Sequence, residues 1–435
     1  MTRRALFVVL FVVGAQATTA SSGDPLEPPD LSEYVRWGPL RARPGVNISN
    51  LGYDDNVFFA SGEEKPRGDY RITLGGNLEG LMLFGHRAFL EFDAGLNYTL
   101  YQTYGSTTTI NTDEGPEEIP SQNYANGLLT SRVTFPFRGG WGVFADLDLI
   151  QVENRPTSEF NTRVKQNTNL FGFGFIVELG WRTYIEFERA AADLSYDDGR
   201  TDVTSNRLDR LEQSNELRLG YRVTGLTSLT LDVTNTDYTF DVATDRDSTE
   251  RSILPGFVFG ERSRLGGWVK VGYSNFDMKD PAQQDYSGPI GEARLYYRMG
   301  SGTTLRLEGG RIVSFAVFGD NTFYLDRFGK LRATHYVNPV IGFFVGGGIG
   351  TLSFPGSALY DPVTGATCDG GDPSCVQRVD DNTEYELGVL FRAAHRQDGK
   401  TIEYGFSWRE TRRDSTIDRF DQSRGTWGFT ANAGF

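Results

Sequence analysis

The chain has 435 residues, 38% of them hydrophobic, and beyond its N-terminus no apolar run approaches the roughly 20 residues of a membrane-spanning helix, so a helical membrane protein is excluded. A net charge of -14 with no basic run excludes nucleic acid as a partner, because polyanions are held by clustered positive charge. With 52 Gly, 31 Phe, 20 Tyr and 6 Trp, the composition favours short strands, tight turns and aromatic-rich surfaces. The 43 basic residues are 37 Arg and 6 Lys, which suits bidentate oxyanion recognition but is explained more simply by GC-rich codon usage.

The chain opens on Met1-Thr2-Arg3-Arg4, an apolar stretch from Ala5 to Ala15, and Ala15-Gln16-Ala17. That order of basic, apolar and small residues predicts a signal peptide over 1–17, with Ala20 as a second cleavage position, and hence export. No Cys follows the apolar stretch, so a lipoprotein is not expected. Residues 18–44 are polar, carry Pro25, Pro28, Pro29 and Pro39, and read as a flexible periplasmic segment. From about residue 45 the pattern changes to period two and holds to residue 435, with no domain boundary.

The first period-two segment contains Arg43-Pro44-Gly45-Val46 and then Gly52-Tyr53-Asp54-Asp55-Asn56-Val57-Phe58. It resembles the opening strand of a family of outer-membrane β-barrel porins, several of which belong to exopolysaccharide synthesis and export systems. The resemblance implies a large barrel that passes secreted polysaccharide, with a periplasmic export or co-polymerase protein as a partner. Read from the residues alone, Gly52 and the acidic run suit a β-bulge or the rim of a first strand.

Further along, Ala88 to Leu100 alternates Leu90, Phe92, Ala94 and Leu96 with Glu91, Asp93, Gly95 and Asn97. The same alternation returns at Trp141 to Leu149, Phe171 to Leu179, Leu305 to Gly309 and Tyr385 to Ala393. Eighteen such segments are predicted, near 45–59, 68–84, 87–104, 121–138, 140–155, 163–179, 181–197, 206–223, 227–243, 247–262, 264–279, 284–299, 302–318, 320–335, 338–354, 379–396, 399–414 and 419–435. An even number of long amphipathic strands predicts an all-β fold, a single antiparallel transmembrane β-barrel over 45–435. Brief connections such as Gly139 and Gly180 alternate with long polar ones, and short turns belong in the periplasm. Both termini are therefore expected there, with outer-membrane lipid and lipopolysaccharide around the wall. Trp141, Trp181 and Trp268 lie at short turns, where an interfacial aromatic girdle is expected. Trp427, Phe429 and the terminal Phe435 resemble the signal read by the barrel assembly machinery.

The polar faces give the lumen-lining candidates: Glu91, Asp93, Arg132, Asp146, Asp148, Glu178, Glu186, Glu188, Arg218, Arg306, Glu308, Glu386 and Arg392. Glu91 with Asp93, Asp146 with Asp148 and Glu186 with Glu188 project in pairs, a geometry that glycosidases use. A water-filled barrel must line itself with polar groups in any case, so these are expected to bias ion flow toward cations rather than to catalyse. Gly346-Gly347-Gly348-Ile349-Gly350 lacks the following helix of a phosphate loop and reads as a bend or a close backbone approach. The acidic turns Asp197-Asp198-Gly199 and Asp369-Gly370-Gly371-Asp372 read as solvated loops that could hold divalent cations. Cys368 and Cys375, in one loop of an exported chain, predict a local disulfide. The three histidines, His86, His335 and His395, are too far apart for a metal site, so no metal, cofactor or enzymatic activity is expected. The function expected is passage: export of a polysaccharide or, alternatively, general or weakly cation-selective diffusion of small hydrophilic solutes. An outer-membrane enzyme or a plugged structural barrel is the third reading. Whether loop 105–120 closes the channel is left open.

Overall fold

The computed structural model describes residues 26–28, 34–60, 65–85, 87–112, 115–154, 163–197, 205–260, 263–300, 302–317, 321–356, 359–363, 366–368, 374–395 and 401–434. The expected signal peptide, His86, Asp198, Gly199, residues 369–372 and Phe435 lie outside them. In chain order the strands are β1 (Val35–Trp37), β2 (Leu40–Asp54), β3 (Asp69–Leu83), β4 (Phe89–Tyr101), β5 (Thr108–Thr112), β6 (Gly115–Ile119) and β7 (Tyr124–Phe137). They continue with β8 (Trp141–Asn154), β9 (Val164–Leu179), β10 (Thr183–Asp197), β11 (Arg210–Thr224), β12 (Thr227–Phe240), β13 (Ser248–Phe259) and β14 (Leu265–Met278). The last are β15 (Tyr286–Met299), β16 (Thr303–Phe315), β17 (Phe323–Tyr336), β18 (Ile341–Ser353), β19 (Val379–His395), β20 (Thr401–Ser415) and β21 (Gln422–Gly434).

Eighteen of these, β2 to β4 and β7 to β21, pair antiparallel in sequence order, and β2 also pairs with β21, which closes the barrel. β5 and β6, inside the 105–120 loop, form a separate two-stranded sheet. The barrel strands run from 12 to 17 residues, beyond the roughly 9 to 11 that span a bilayer. Outward positions carry exposed apolar side chains, such as Leu147 and Leu149 on β8 and Phe171, Phe173 and Phe175 on β9, as lipid contact requires. Gly85, Gly139, Gly180 and Gly300 take positive φ in the connections at one end, where three to five residues must reverse the chain.

The first barrel strand begins at Leu40, earlier than residue 45. Leu40 to Pro44 pair with β3. The segment before it is anchored too: Leu26 packs against Phe144 and Ile176 on the inner wall, near the short-turn end. A bulge between Ile48 and Leu51, with Asn50 at φ 54°, reverses which side chains face outward. Val46 and Ile48 are exposed before the bulge and Leu51 after it.

The acidic run that follows fastens the seam between first and last strands. Arg424 on β21 grips the fully buried Asp54 through both carboxylate oxygens, its Nε at 2.9 Å, and Arg71 lies 3.3 Å from the same group. Gly425 N donates to Asp55 Oδ1 at 2.7 Å, and Asn56 Nδ2 donates to Ser423 O at 2.9 Å.

Candidate functional site: the lumen and its inward hairpin

Alternation puts every predicted lumen residue on the inward face of its strand, but their surroundings divide into two walls. Along β7 to β14 the charges are linked and buried. Arg132 donates from Nε to Asp146 Oδ1 at 2.7 Å and from Nη1 to Glu186 Oε1 at 3.2 Å, and its Nη2 lies 3.4 Å from Glu188. Arg218 holds Glu216 at 2.7 Å and Asp232 at 2.8 Å and lies 3.9 Å from Glu186. Lys270 on β14 closes the row on Asp232. The side chains of Arg132 and Arg218 are only 7% and 6% exposed. In the register Glu91 stands opposite Arg132, and Asp93 and Asp148 both stand opposite Thr130. The acidic pairs therefore sit among arginines instead of forming isolated carboxylate dyads. Nearer the short turns, Glu178 pairs with Arg222 at 2.7 Å.

Along β15 to β20 the same residue types stand open to water. Arg306 (54% exposed), Arg294 (39%), Arg409 (38%) and Arg332 (37%) extend past their less exposed partners Glu308, Glu384 and Glu386. Arg392 lies 3.3 Å from Glu403, which also accepts from Tyr336 Oη at 2.6 Å. Gly346 and Gly348 on β18 face inward within this wall. A Cβ at Gly346 would meet Glu386 Oε1 at 2.5 Å, and one at Gly348 would meet Lys330 Cγ at 3.0 Å. These glycines make room for charged side chains of the neighbouring strands within a continuous strand.

Trp268 does not join the outer girdle. It shares the inward parity of Lys270, whose Nζ lies 5.8 Å from its ring, whereas Trp141 and Trp181 are exposed. Its neighbour Gly267 takes φ 104° at the start of β14, so counting residues from the turn misjudges the face.

The element that enters the lumen is the outer half of the β16–β17 hairpin. The β15–β16 ladder stops at Gly291 opposite Arg311, leaving Tyr286 to Ile290 unpaired on that side, and Pro289 stands in the freed stretch. Beyond that point Val313, Phe315, Phe323 and Leu325 pack against inward residues of the wall: Tyr238, Leu254, Phe276, Tyr286 and Ile290. The tip carries Val317 to Leu170, Ala190 and Leu194 on β9 and β10, which lie six to seven strands away round the barrel. Arg246, between β12 and β13 and almost fully buried, donates to Ala316 O and, at 2.9 Å, to Val317 O. On the far side Asn321 donates to Tyr360 Oη at 2.9 Å. Tyr360 packs with Val376, Ile417 and Phe420, next to the loop in which Cys368 and Cys375 are bonded. Among the described residues no three metal-ligating side chains come together.

The middle of the chain, residues 145–370, which holds most of both walls and the whole inward hairpin, matches the family described as Putative beta-barrel porin 2 over just over half the chain. The chain belongs to that family. As a beta-barrel porin of this family it is an outer-membrane channel protein. Among solved structures, the outer membrane protein OpdK of Pseudomonas aeruginosa aligns at 9% identity with a TM-score of 0.45, covering 91% of this chain and 99% of its own. A BenF-like porin from Pseudomonas fluorescens Pf-5 aligns at 8% identity and 0.46, covering 91% and 98%. The FrpB iron transporter of Neisseria meningitidis aligns at 8% and 0.45, covering 93% and 82%. No curated protein matches the chain.

Proposed function

We propose that this porin carries small hydrophilic solutes by diffusion, and that its short turns and both termini face the periplasm, with lipopolysaccharide around the long-loop end. The observation that carries the reading is the inward hairpin. An 18-stranded barrel is wide enough for an aqueous channel, and here a packed hairpin extends from β16 and β17 to β9 and β10 across it, anchored at both sides of its tip. A passage narrowed in this way suits small solutes better than a polymer chain, which favours diffusion over polysaccharide export. Trp427 and Phe429 on the closing strand serve as the signal for the assembly machinery in this reading.

Planar-bilayer conductance tests it. The intact barrel should give small, steady channels, and deleting residues 316–322 should enlarge them severalfold. Arg246→Met, which frees the tip but keeps the bulk, should make the current fluctuate between the two levels. In cells, a deletion strain should take up small hydrophilic solutes more slowly and keep its surface polysaccharide. Loss of surface polysaccharide with normal solute uptake would establish the export role instead.

A further inference from the structure

We infer that the open wall is a binding site for small organic carboxylates, centred on Arg306 and Arg332; this rests on the channel reading above and names the class of solute carried. Arg306 on β16 and Arg332 on β17 are direct cross-strand partners, both inward. Like charges placed directly opposite one another destabilise a sheet unless something neutralises them. The carboxylates present do so incompletely. Glu308 takes Arg306 through Nε at 2.8 Å and stands 3.5 Å from Arg294 Nε. Glu386 lies 3.5 Å from Arg332 Nε and 3.2 Å from Arg409 Nη2, and Glu384 is shared between Arg409 at 3.4 Å and Lys330 at 2.7 Å. Glu292, the next inward residue on β15, is the fourth glutamate among the five cations Arg294, Arg306, Lys330, Arg332 and Arg409, and Asp326 stands beyond Lys330 on β17.

The geometry favours a bidentate ligand. Among the described residues Arg332 has no hydrogen-bond acceptor for its two Nη groups, and its guanidinium carbon lies over the Phe344 ring, 3.8 Å from the centroid. A guanidinium resting on a ring, partly exposed and with both Nη groups unengaged, has the parallel donors that a carboxylate accepts. Arg306, the most exposed of the four, faces it from the next strand. Both lie on the strands that carry the inward hairpin, so a solute held here sits directly beneath the narrowed section.

Titration calorimetry on the folded barrel in detergent, with succinate as the probe, tests the site without requiring conduction. Wild-type protein should bind succinate and ignore 1,4-butanediol, and R306Q/R332Q should bind at least about tenfold more weakly. R332K, which keeps the charge but not the fork, should lose part of the binding, while R251Q on the outer face should change nothing. Retained difference in gel mobility between boiled and unboiled samples checks that each variant is folded. In bilayers the wild-type current should favour anions and the double variant should lose that preference. Binding without current, even after deletion of 316–322, would leave the site standing and sink the channel reading. Equal succinate binding by wild type and R306Q/R332Q, no binding by either, or a cation-selective wild-type current would overturn the site.

Discussion

The two walls of the lumen use one set of residues for two purposes. On β7 to β14 Arg132 and Arg218 are each enclosed by three carboxylates, lose their water and tie neighbouring strands together. On β15 to β20 arginines outnumber the carboxylates they touch, and they keep their water. The difference teaches that partner number and burial, more than charge type, decide whether a lumen residue belongs to the wall or to the solute. A buried pair gains little over an apolar one, yet breaking it strands a charge; an exposed pair is worth almost nothing to the fold.

That contrast can be broken most directly at Arg132. Arg132→Ala would leave Asp146, Glu186 and Glu188 facing one another without their shared cation, and stability should fall by about 3 to 5 kcal/mol. The midpoint of urea unfolding, followed by tryptophan fluorescence in lipid vesicles, measures it. Arg306→Ala in the open wall should cost less than about 1 kcal/mol in the same assay. Equal losses at the two positions would erase the distinction between the walls.

The disulfide comes next in size, since it lies outside both walls. Cys368→Ser with Cys375→Ser should cost about 2 to 3 kcal/mol on loop-closure grounds, confined to the rim, with the barrel transition unmoved. Wild-type protein alkylated without reductant should gain no label by intact mass; two labels would show free thiols.

The smallest effect expected is at the rim. Asp209, just before β11, is pushed up to about 6, mainly by burial and also by Asp241 and Asp193, against the hydrogen bond it accepts from Tyr196 N. A carboxyl raised in the folded state favours folding fully below its unfolded value near 4 and loses that contribution as pH rises through about 6. Asp209→Asn should therefore match wild type at pH 4 and be slightly more stable at pH 7.5. The effect is modest because the group is only partly buried at the rim. A difference that grows toward acid would reverse the sign.

Much of the fold was legible because lipid on one side and water on the other force a period of two onto every strand. That period places each predicted lumen residue at the strand parity opposite the exposed apolar side chains. The inward hairpin was not legible for the same reason. Leu307, Val313 and Phe315 share one parity, as do Leu331, Leu325 and Phe323, so all six read as lipid-facing. Leu307 and Leu331 are exposed to the outside, while the others pack inside the barrel, because the ladder to β15 ends at Gly291 and the strands leave the wall. Gly288-Pro289 on β15 and Gly309-Gly310 on β16 were the available signals. The sealing of one wall was hidden too. Arg132 meets Glu186 and Glu188 from three strands away, and only the register between strands decides that meeting.

The seam carries a kinetic consequence. The groups that join β2 to β21 are 370 residues apart in sequence, among the longest separations the chain can offer. Asp54, Asp55 and Asn56 are made early and wait, without their partners, while the intervening strands are laid down. Until β21 arrives, the growing sheet has two open edges, and β2 is free to pair with whatever strand reaches it, including one from another copy. Contacts so distant in sequence form late and slowly. Closure is therefore the committing step of assembly, and a seam weakened at Arg424→Gln should lengthen the life of the open intermediate far more than it lowers the stability of the finished barrel.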